Sequence, residues 1–273
     1  MNELDQHRHL PSSDRLSLVA AMILLAYALG RSIQLPGLDL ATQLPGFFLA
    51  VQVNVQTVVA FIVAGLTAAG TDWLLREHPA LQRGSTAEHW LLPALTAWAI
   101  GLPLFQIPLS PLWWAGFALG GGLILLVLIA EYIAVDATDA RQAPAAAILT
   151  AVSFALYLVL VAGLRFANLR LFLLMPALAL AGGLVSLRTL RLRLPDHRFY
   201  LEAGLVALIS VQIAAALHYW SLTPVAFGMA LLGPAYALTN LLGNLAQGEP
   251  LRQAIVEPAI VLAFIWGLAL ILG

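Results

Sequence analysis

Charged residues collect at the end of a long apolar stretch, where they are candidates for chemistry at a membrane surface. The stretch from Leu112 to Ala130 holds nineteen residues without a charged side chain, and it is followed by Glu131, Asp136, Asp139 and Arg141. An ionisable residue at membrane depth is a functional-site hypothesis by default, because a lone charge is costly in hydrocarbon. Three carboxylates and a guanidinium in this position are compatible with an enzyme that acts on a lipid or isoprenoid, or with structural ion pairs between helices.

Glu131 is the leading candidate of this group, because its carboxylate is expected at or just inside the membrane boundary. An unpaired carboxylate there costs several kcal/mol or takes up a proton. Asp72 and Arg76 stand four residues apart and therefore share one helix face. They are expected at the matching depth of another apolar segment. We predict a contact between Glu131 and Arg76, shared with Asp72, that ties two helices together.

Two arginines, Arg165 and Arg170, lie five residues apart at the opposite side of the predicted bundle. Guanidinium groups at a membrane surface are able to hold an anionic headgroup or an anionic substrate. A structural role is the alternative, in which these arginines pair with Asp39. The sequence leaves both interpretations open and favours the structural one.

A stripe of amides is predicted on one helix near the carboxyl end. Asn240, Asn244 and Gln247 recur at intervals of four and three residues, which places them on one helix face. Such a stripe either forms hydrogen bonds with neighbouring helices or lines a polar path through the membrane. We favour the hydrogen bonds between helices.

The composition excludes several common chemistries. Cysteine is absent and all thirteen basic residues are arginine, which rules out thiolate metal sites, a cysteine nucleophile and a Schiff base on lysine. No nucleophile elbow, HExxH zinc motif or Walker motif occurs, and no second His or carboxylate stands at ligand spacing from His218. We therefore predict no cofactor and no metal. The net charge of −1 gives no reason to expect a nucleic acid as a partner.

Membrane-spanning helices are the elements that must position these residues. Hydrophobic residues make up 61% of the chain and charged residues 10%, far from the composition of soluble proteins. We predict an all-α polytopic transmembrane helix bundle of about nine spans (eight to ten), with no soluble domain. Residues 1–273 are expected to form a single integral membrane domain, of which residues 1–15 are a polar tail. The predicted spans are Leu16 to Leu29, Phe47 to Leu75, Trp90 to Phe105, Leu112 to Val135, Pro144 to Leu164, Leu171 to Leu187, Phe199 to His218, Pro224 to Leu245 and Ala254 to Leu272.

Two glycines in the fourth predicted span indicate close helix packing. Gly116 and Gly120 lie four residues apart, with Gly121 and Gly122 directly after them. Small residues at this spacing let another helix backbone approach closely in a membrane. We predict that Gly116 and Gly120 lie at a helix crossing.

The placement of arginines predicts the orientation of the chain. With nine spans and a cytoplasmic amino terminus, ten arginines fall on the inner side and three on the outer side, as the positive-inside rule requires. The carboxyl terminus is then outside, and the expected location is the bacterial cytoplasmic (inner) membrane. The inner arginines are Arg8, Arg15, Arg76, Arg83, Arg141, Arg188, Arg191, Arg193, Arg198 and Arg252, and the outer ones are Arg31, Arg165 and Arg170.

Four blocks of sequence carry a family resemblance that covers most of the chain. They read TDWLLREHP (residues 71–79), LWWAGFALGG, AEYIAVD (residues 130–136) and HYWSLTPVAFGMALLGPAYALTN. The chain resembles an uncharacterised family of multi-pass bacterial membrane proteins, and this resemblance implies no activity and no catalytic residues. In architecture alone it is also similar to the membrane prenyltransferases of quinone synthesis. Their repeated aspartates are lacking, because the loops after spans two and six offer only Asp72, Glu77 and Asp196.

These observations favour a non-enzymatic membrane protein, either an accessory or scaffold subunit of a membrane complex or a small permease. Membrane lipids and other membrane proteins are its expected partners. Pro93, Pro176, Pro234 and Pro258 predict helix breaks of the kind that permeases use, although charge near mid-span is scarce. The alternative is an enzyme that acts on a lipid or isoprenoid at the cytoplasmic face through the charged group that follows Ala130.

Overall fold

The computed structural model divides the chain into two compact units. Unit 1 comprises Met1–Ala145 and unit 2 comprises Ala146–Gly273. Each unit has a hydrophobic core of its own. Most of the predicted polar tail lies outside the described residues, as do Arg8 and Arg83. The structure describes residues 11–32, 38–44, 47–53, 55–78, 86–136, 139–167, 170–194 and 197–273.

Unit 1 is built from four long helices and a hairpin of two antiparallel strands. Helix α2 packs against α1 and α3, and helix α4 packs against α3 and α1. Tyr27 of α1 reaches into the core, where its hydroxyl donates to the carbonyl of Ala97 in α3. The elements are α1 (Ser13–Ser32), β1 (Leu38–Leu44), β2 (Phe47–Val53), α2 (Val55–Leu75), α3 (Ala87–Gln106) and α4 (Pro111–Ala134).

The hairpin corrects the start of the second predicted span. Phe47–Val53 forms a strand that pairs with Leu38–Leu44, and the helix begins only at Val55. The segment FFLAVQV is rich in aromatic and β-branched residues, which favour a strand. The 21 residues of α2 already match the roughly 20 that a helix needs to cross about 30 Å of hydrocarbon, so the preceding residues are free to pair as strands.

Unit 2 is a bundle of five long helices and one short one. Helix α8 is central, since it packs against α6, α7 and α10. Gly228 of α8 also approaches α5 closely, because a Cβ at this position would lie 2.8 Å from the Leu158 Cδ1 atom. The elements are α5 (Gln142–Phe166), α6 (Leu171–Arg193), α7 (Tyr200–Leu217), α8 (Pro224–Ala246), α9 (Leu251–Ala254) and α10 (Val256–Leu272).

The helices have the length and polarity that a bilayer requires. In the described part of the chain, eight helical segments are long and apolar enough to cross a membrane, and α3, with 20 residues, corresponds to the remaining predicted span. Large apolar side chains point outward, among them Leu201 and Leu270 at 82% and 78% exposure. Buried hydroxyls such as those of Thr67 and Ser153 donate to the carbonyl four residues earlier. The predicted polytopic helix bundle is confirmed.

Most of the predicted proline breaks are wrong, and at Pro234 a side chain binds the carbonyl that proline leaves without a donor. Helix α8 continues through Pro234, which has no N–H for the Ala230 carbonyl, and the Trp266 indole donates to that oxygen at 3.1 Å. Helices α3 and α6 likewise continue through Pro93 and Pro176. An interruption does precede Pro258, between α9 and α10. There the Asn244 amide donates to the Ala254 carbonyl at 3.3 Å.

Candidate functional site

Glu131 is fully buried in unit 1 and is bound by a histidine. Its Oε2 atom lies 2.9 Å from Nδ1 of His89, and the two side chains are 0% and 17% exposed. An ionised carboxylate only accepts hydrogen bonds, so the imidazole donates from Nδ1 in that state. His89 is in the first turn of α3 and Glu131 is in the last turn of α4. The pair therefore joins α3 to α4.

The predicted contact between Glu131 and Arg76 is wrong. Arg76 follows the end of α2, is 72% exposed, and donates from Nε to Asp72 Oδ2 at 2.8 Å. Thr86 donates to the other oxygen of Asp72. Asp72 and Arg76 thus pair with each other, as two residues on one helix face are able to do. Glu131 is bound by a histidine of α3 and not by the arginine that follows α2.

A second histidine lies beside the residue that follows Glu131. The rings of His78 and Tyr132 meet edge to face with centroids 4.6 Å apart, and both side chains are buried. We call Glu131, His89, Tyr132 and His78 the Glu131 cluster. Its two histidines were missed by the sequence analysis, although each lies within a few residues of a predicted span end. One signal for these histidines was available in the sequence. Each lies near the end of a predicted span, on the side of the membrane where Glu131 is expected.

Among the other charged residues after α4, Asp139 has a hydrogen-bond partner of its own. Asp139 Oδ1 accepts from the backbone N–H of Arg141 at 2.8 Å, in the turn that leads into α5. Asp136 is half-buried in the same connection and Arg141 is exposed. Asp139 therefore stabilises the start of α5, whereas Glu131 is engaged inside the helix bundle.

The two predicted outer arginines have different surroundings. Arg165 donates to the carbonyls of His218 and Trp220 at 2.8 and 2.9 Å, and its guanidinium lies 5.0 Å from the ring centre of Phe227. Arg165 thus ties the end of α5 to the connection between α7 and α8. Arg170 is exposed at the N-cap of α6. The side chain of Asp39, their predicted structural partner, lies outside the described residues.

Gly116 and Gly120 both face α3. A Cβ on Gly120 would lie 2.6 Å from Ile100 Cγ2, and one on Gly116 would lie 3.5 Å from Leu104 Cδ2. Real Cβ atoms essentially never show the first distance, while the second is an ordinary van der Waals contact. The close approach of α3 to α4 therefore depends mainly on Gly120.

The amide stripe of α8 contacts an arginine of α6. Asn240 and Asn244 both accept hydrogen bonds from Arg193, as expected for amides that join helices. Gln247 is the exposed C-cap of α8. As for metals, the described residues contain no group of three or more His, Cys, Asp or Glu side chains that could hold an ion.

A bundle of apolar helices that buries a carboxylate, several hydroxyls and an amide is a multi-pass membrane protein. The chain belongs to the family described as "Protein of unknown function (DUF5656)", which matches residues 35–272. The match extends from the residues before β1 to the end of α10. Comparison with curated proteins and with solved structures gave no match. Membership of an uncharacterised family, predicted from the four sequence blocks, is confirmed.

Proposed function

We propose that this protein is a small permease that couples the movement of a solute to protons through Glu131 and His89. The observation that carries the proposal is the complete burial of the Glu131 carboxylate against the His89 imidazole. Imidazole and carboxylate groups are the side chains that most often donate and accept protons in proteins. Carboxylates and histidines inside membrane bundles characteristically form the proton relays of pumps and transporters.

The energetic cost of this arrangement supports transport over a purely structural role. Moving a carboxylate out of water is expensive, and replacing buried ion pairs with apolar side chains of similar volume is often neutral or stabilising. A helix bundle that serves only as a scaffold gains no evident stability from an acid at this position. Unit 2 also contains buried polar side chains, including Ser186 and Thr239, whose hydroxyls are 2.8 Å apart. A polar interior of this kind suits the passage of a solute.

The accessory-subunit role is the second candidate, and the exposure of the last helix favours it. Of α10 only Pro258 and Ala269 are buried within the chain, whereas α8 buries twelve of its 23 residues. One side of α10 packs against α8, and the rest of its surface is available to a partner membrane protein. For the lipid-directed enzyme there is no comparable observation in the described residues, since Asp139 supports a turn.

Proteoliposomes loaded with a pH-sensitive dye provide the test of the permease. We expect the full-length protein to change the internal pH when a solute gradient is applied, for at least one member of a panel of sugars, amino acids and carboxylic acids. Liposomes without protein, given the same gradients, are the control. If no solute in the panel drives proton movement and an equimolar membrane protein copurifies in mild detergent, the accessory-subunit role replaces the permease.

We also propose that the chain lies in a bacterial cytoplasmic membrane with its amino terminus inside and its carboxyl terminus outside. The asymmetry of the arginines supports this orientation. A periplasmic phosphatase fused after Gly273 should be active, and a fluorescent protein that matures only in the cytoplasm should stay dark at the same position. The reverse pattern would show that the number of spans or the orientation is wrong.

A further inference from the structure

The guanidinium of Arg193 in unit 2 is bound only by neutral groups in the described structure. It donates from one terminal nitrogen to Asn244 Oδ1 at 3.2 Å and from the other to Asn240 Oδ1. None of the salt bridges among the described residues involves Arg193. Its side chain is half-buried at the end of α6. A positive charge is therefore held in a fixed place without a carboxylate from the described residues bound to it.

The two asparagines are oriented so that their oxygens face the arginine. The Asn240 amide nitrogen donates to the Tyr236 carbonyl at 2.9 Å, and the Asn244 amide nitrogen donates to the Ala254 carbonyl at 3.3 Å. Because a carbonyl accepts only from the nitrogen end of an amide, these bonds fix which end points to Arg193. The guanidinium is thereby preorganised before any ligand binds.

A glycine gives Arg193 the space to lie across α8. A Cβ on Gly243 would lie 3.2 Å from the Arg193 Nη1 atom and 3.6 Å from its Cδ atom. The first distance is tighter than most real Cβ contacts, so a larger residue would displace the guanidinium. The sequence of α8 thus provides two oriented acceptors and a gap for one arginine.

A buried hydroxyl lies one helical turn before Arg193 on the same face of α6. Thr189 is fully buried, and its Oγ1 atom has no hydrogen-bond partner among the described residues. Residues four apart are neighbours on a helix surface. Arg193 has five N–H groups, of which the two asparagines engage two. The remaining N–H groups of Arg193 and the Thr189 hydroxyl are therefore available as donors. The guanidinium gives this site a positive charge.

The nearest carboxylate in this hydrogen-bond network is engaged elsewhere. Glu257 is exposed, and its Oε1 atom accepts from the Tyr236 hydroxyl at 3.3 Å. Tyr236 also supplies the carbonyl that orients Asn240. The network therefore runs from Arg193 through Asn240 and Tyr236 to Glu257, and it leaves the guanidinium without a direct negative partner among the described residues.

From these contacts we infer that Arg193 and Thr189 bind the phosphate group of an anionic ligand, with Asn240 and Asn244 holding the guanidinium in position. A guanidinium matches phosphate oxygens with parallel N–H groups, and such charge-assisted bonds are stronger than neutral ones. The phosphate belongs either to a lipid headgroup or to a free anion. The site lies in unit 2, so it can bind phosphate whether or not the Glu131 cluster of unit 1 moves protons.

Thermal unfolding of the full chain in dodecyl maltoside, a detergent without phosphate, provides the test. One arm adds inorganic phosphate, against chloride at equal ionic strength. The other adds short-chain phosphatidylglycerol, against an uncharged glycolipid of equal chain length. We expect one of the two phosphate-bearing probes to raise the unfolding temperature in a saturable way. Stabilisation by phosphate indicates a free anion as the ligand, and stabilisation by phosphatidylglycerol alone indicates a lipid headgroup.

Variants determine whether the binding occurs at Arg193. Arg193→Gln should weaken the apparent affinity at least about tenfold, because a hydrogen bond to a charged group is lost. Thr189→Val, which keeps the shape of the side chain, should weaken it less and serves as the test if Arg193→Gln does not fold. Arg198→Gln, at an exposed arginine of the same unit, is the matched control and should change little. No stabilisation by either probe, or equal stabilisation in all three variants, would overturn the inference.

Discussion

Replacing His89 with Leu is expected to lower the free energy of unfolding by about 3–5 kcal/mol, the cost of removing one partner of a buried pair. The variant leaves the Glu131 carboxylate fully buried and without the imidazole that lies 2.9 Å from it. Glu131→Leu should cost less, because His89 is partly exposed and can turn towards water. Unfolding by SDS titration in mixed micelles measures both effects.

The double variant His89→Leu/Glu131→Leu distinguishes a charge effect from a packing effect. In the double variant an apolar side chain of α3 faces an apolar side chain of α4, and no charge is left buried without its partner. The double variant should therefore be more stable than His89→Leu alone. Arg76→Gln is the control, because its ion pair with Asp72 is exposed and worth about 0.3–0.5 kcal/mol. Equal losses for Arg76→Gln and His89→Leu would show that Glu131 does not depend on its histidine.

Replacing Gly120 with Leu is expected to destabilise the protein by about 3 kcal/mol, at the upper end of the cost of overpacking. Its first added atom would lie 2.6 Å from Ile100 Cγ2, and isoleucine is branched at Cβ and gives way poorly. Helices α3 and α4 would have to separate, which also disturbs the contact between His89 and Glu131. Thermal unfolding in detergent measures the effect.

The neighbouring glycines provide matched controls for this prediction. A Cβ on Gly122 would meet nothing within 4 Å, so Gly122→Leu should leave the stability nearly unchanged. Gly116→Leu should give an intermediate loss, because its Cβ would make an ordinary contact at 3.5 Å. If Gly120→Leu unfolds at the same temperature as Gly122→Leu, the close contact between α3 and α4 is not as described.

The helices were predictable because a membrane requires long apolar segments, and those are visible in the sequence. The burial of Glu131 was also predictable, since it follows nineteen uncharged residues. Its partner was not, because the predicted third span began at Trp90 whereas α3 begins at Ala87. Those three residues move His89 from a loop into a helix that faces Glu131.

The hairpin and the arginine contacts were beyond the reach of sequence patterns for a different reason. The segment FFLAVQV is apolar and contiguous with α2, so hydropathy does not separate a strand from a longer helix there. Arg165 and Arg193 are bound by backbone carbonyls and amide oxygens from distant parts of the chain. Those acceptors are uncharged, so nothing in the sequence marks them as partners of an arginine. Only the packing of the helices brings them to the arginines.

Proton movement into proteoliposomes that contain the Glu131→Gln variant tests most directly whether transport depends on Glu131. The amide has nearly the same size as the carboxylate and can still hydrogen-bond to His89, so the variant should remain folded, as size-exclusion chromatography and thermal unfolding would show. With a solute that drives proton movement in the original protein, we predict that Glu131→Gln falls to the level of protein-free liposomes. Proton movement by the folded variant at the rate of the original protein would contradict the role of Glu131 and leave it a structural residue.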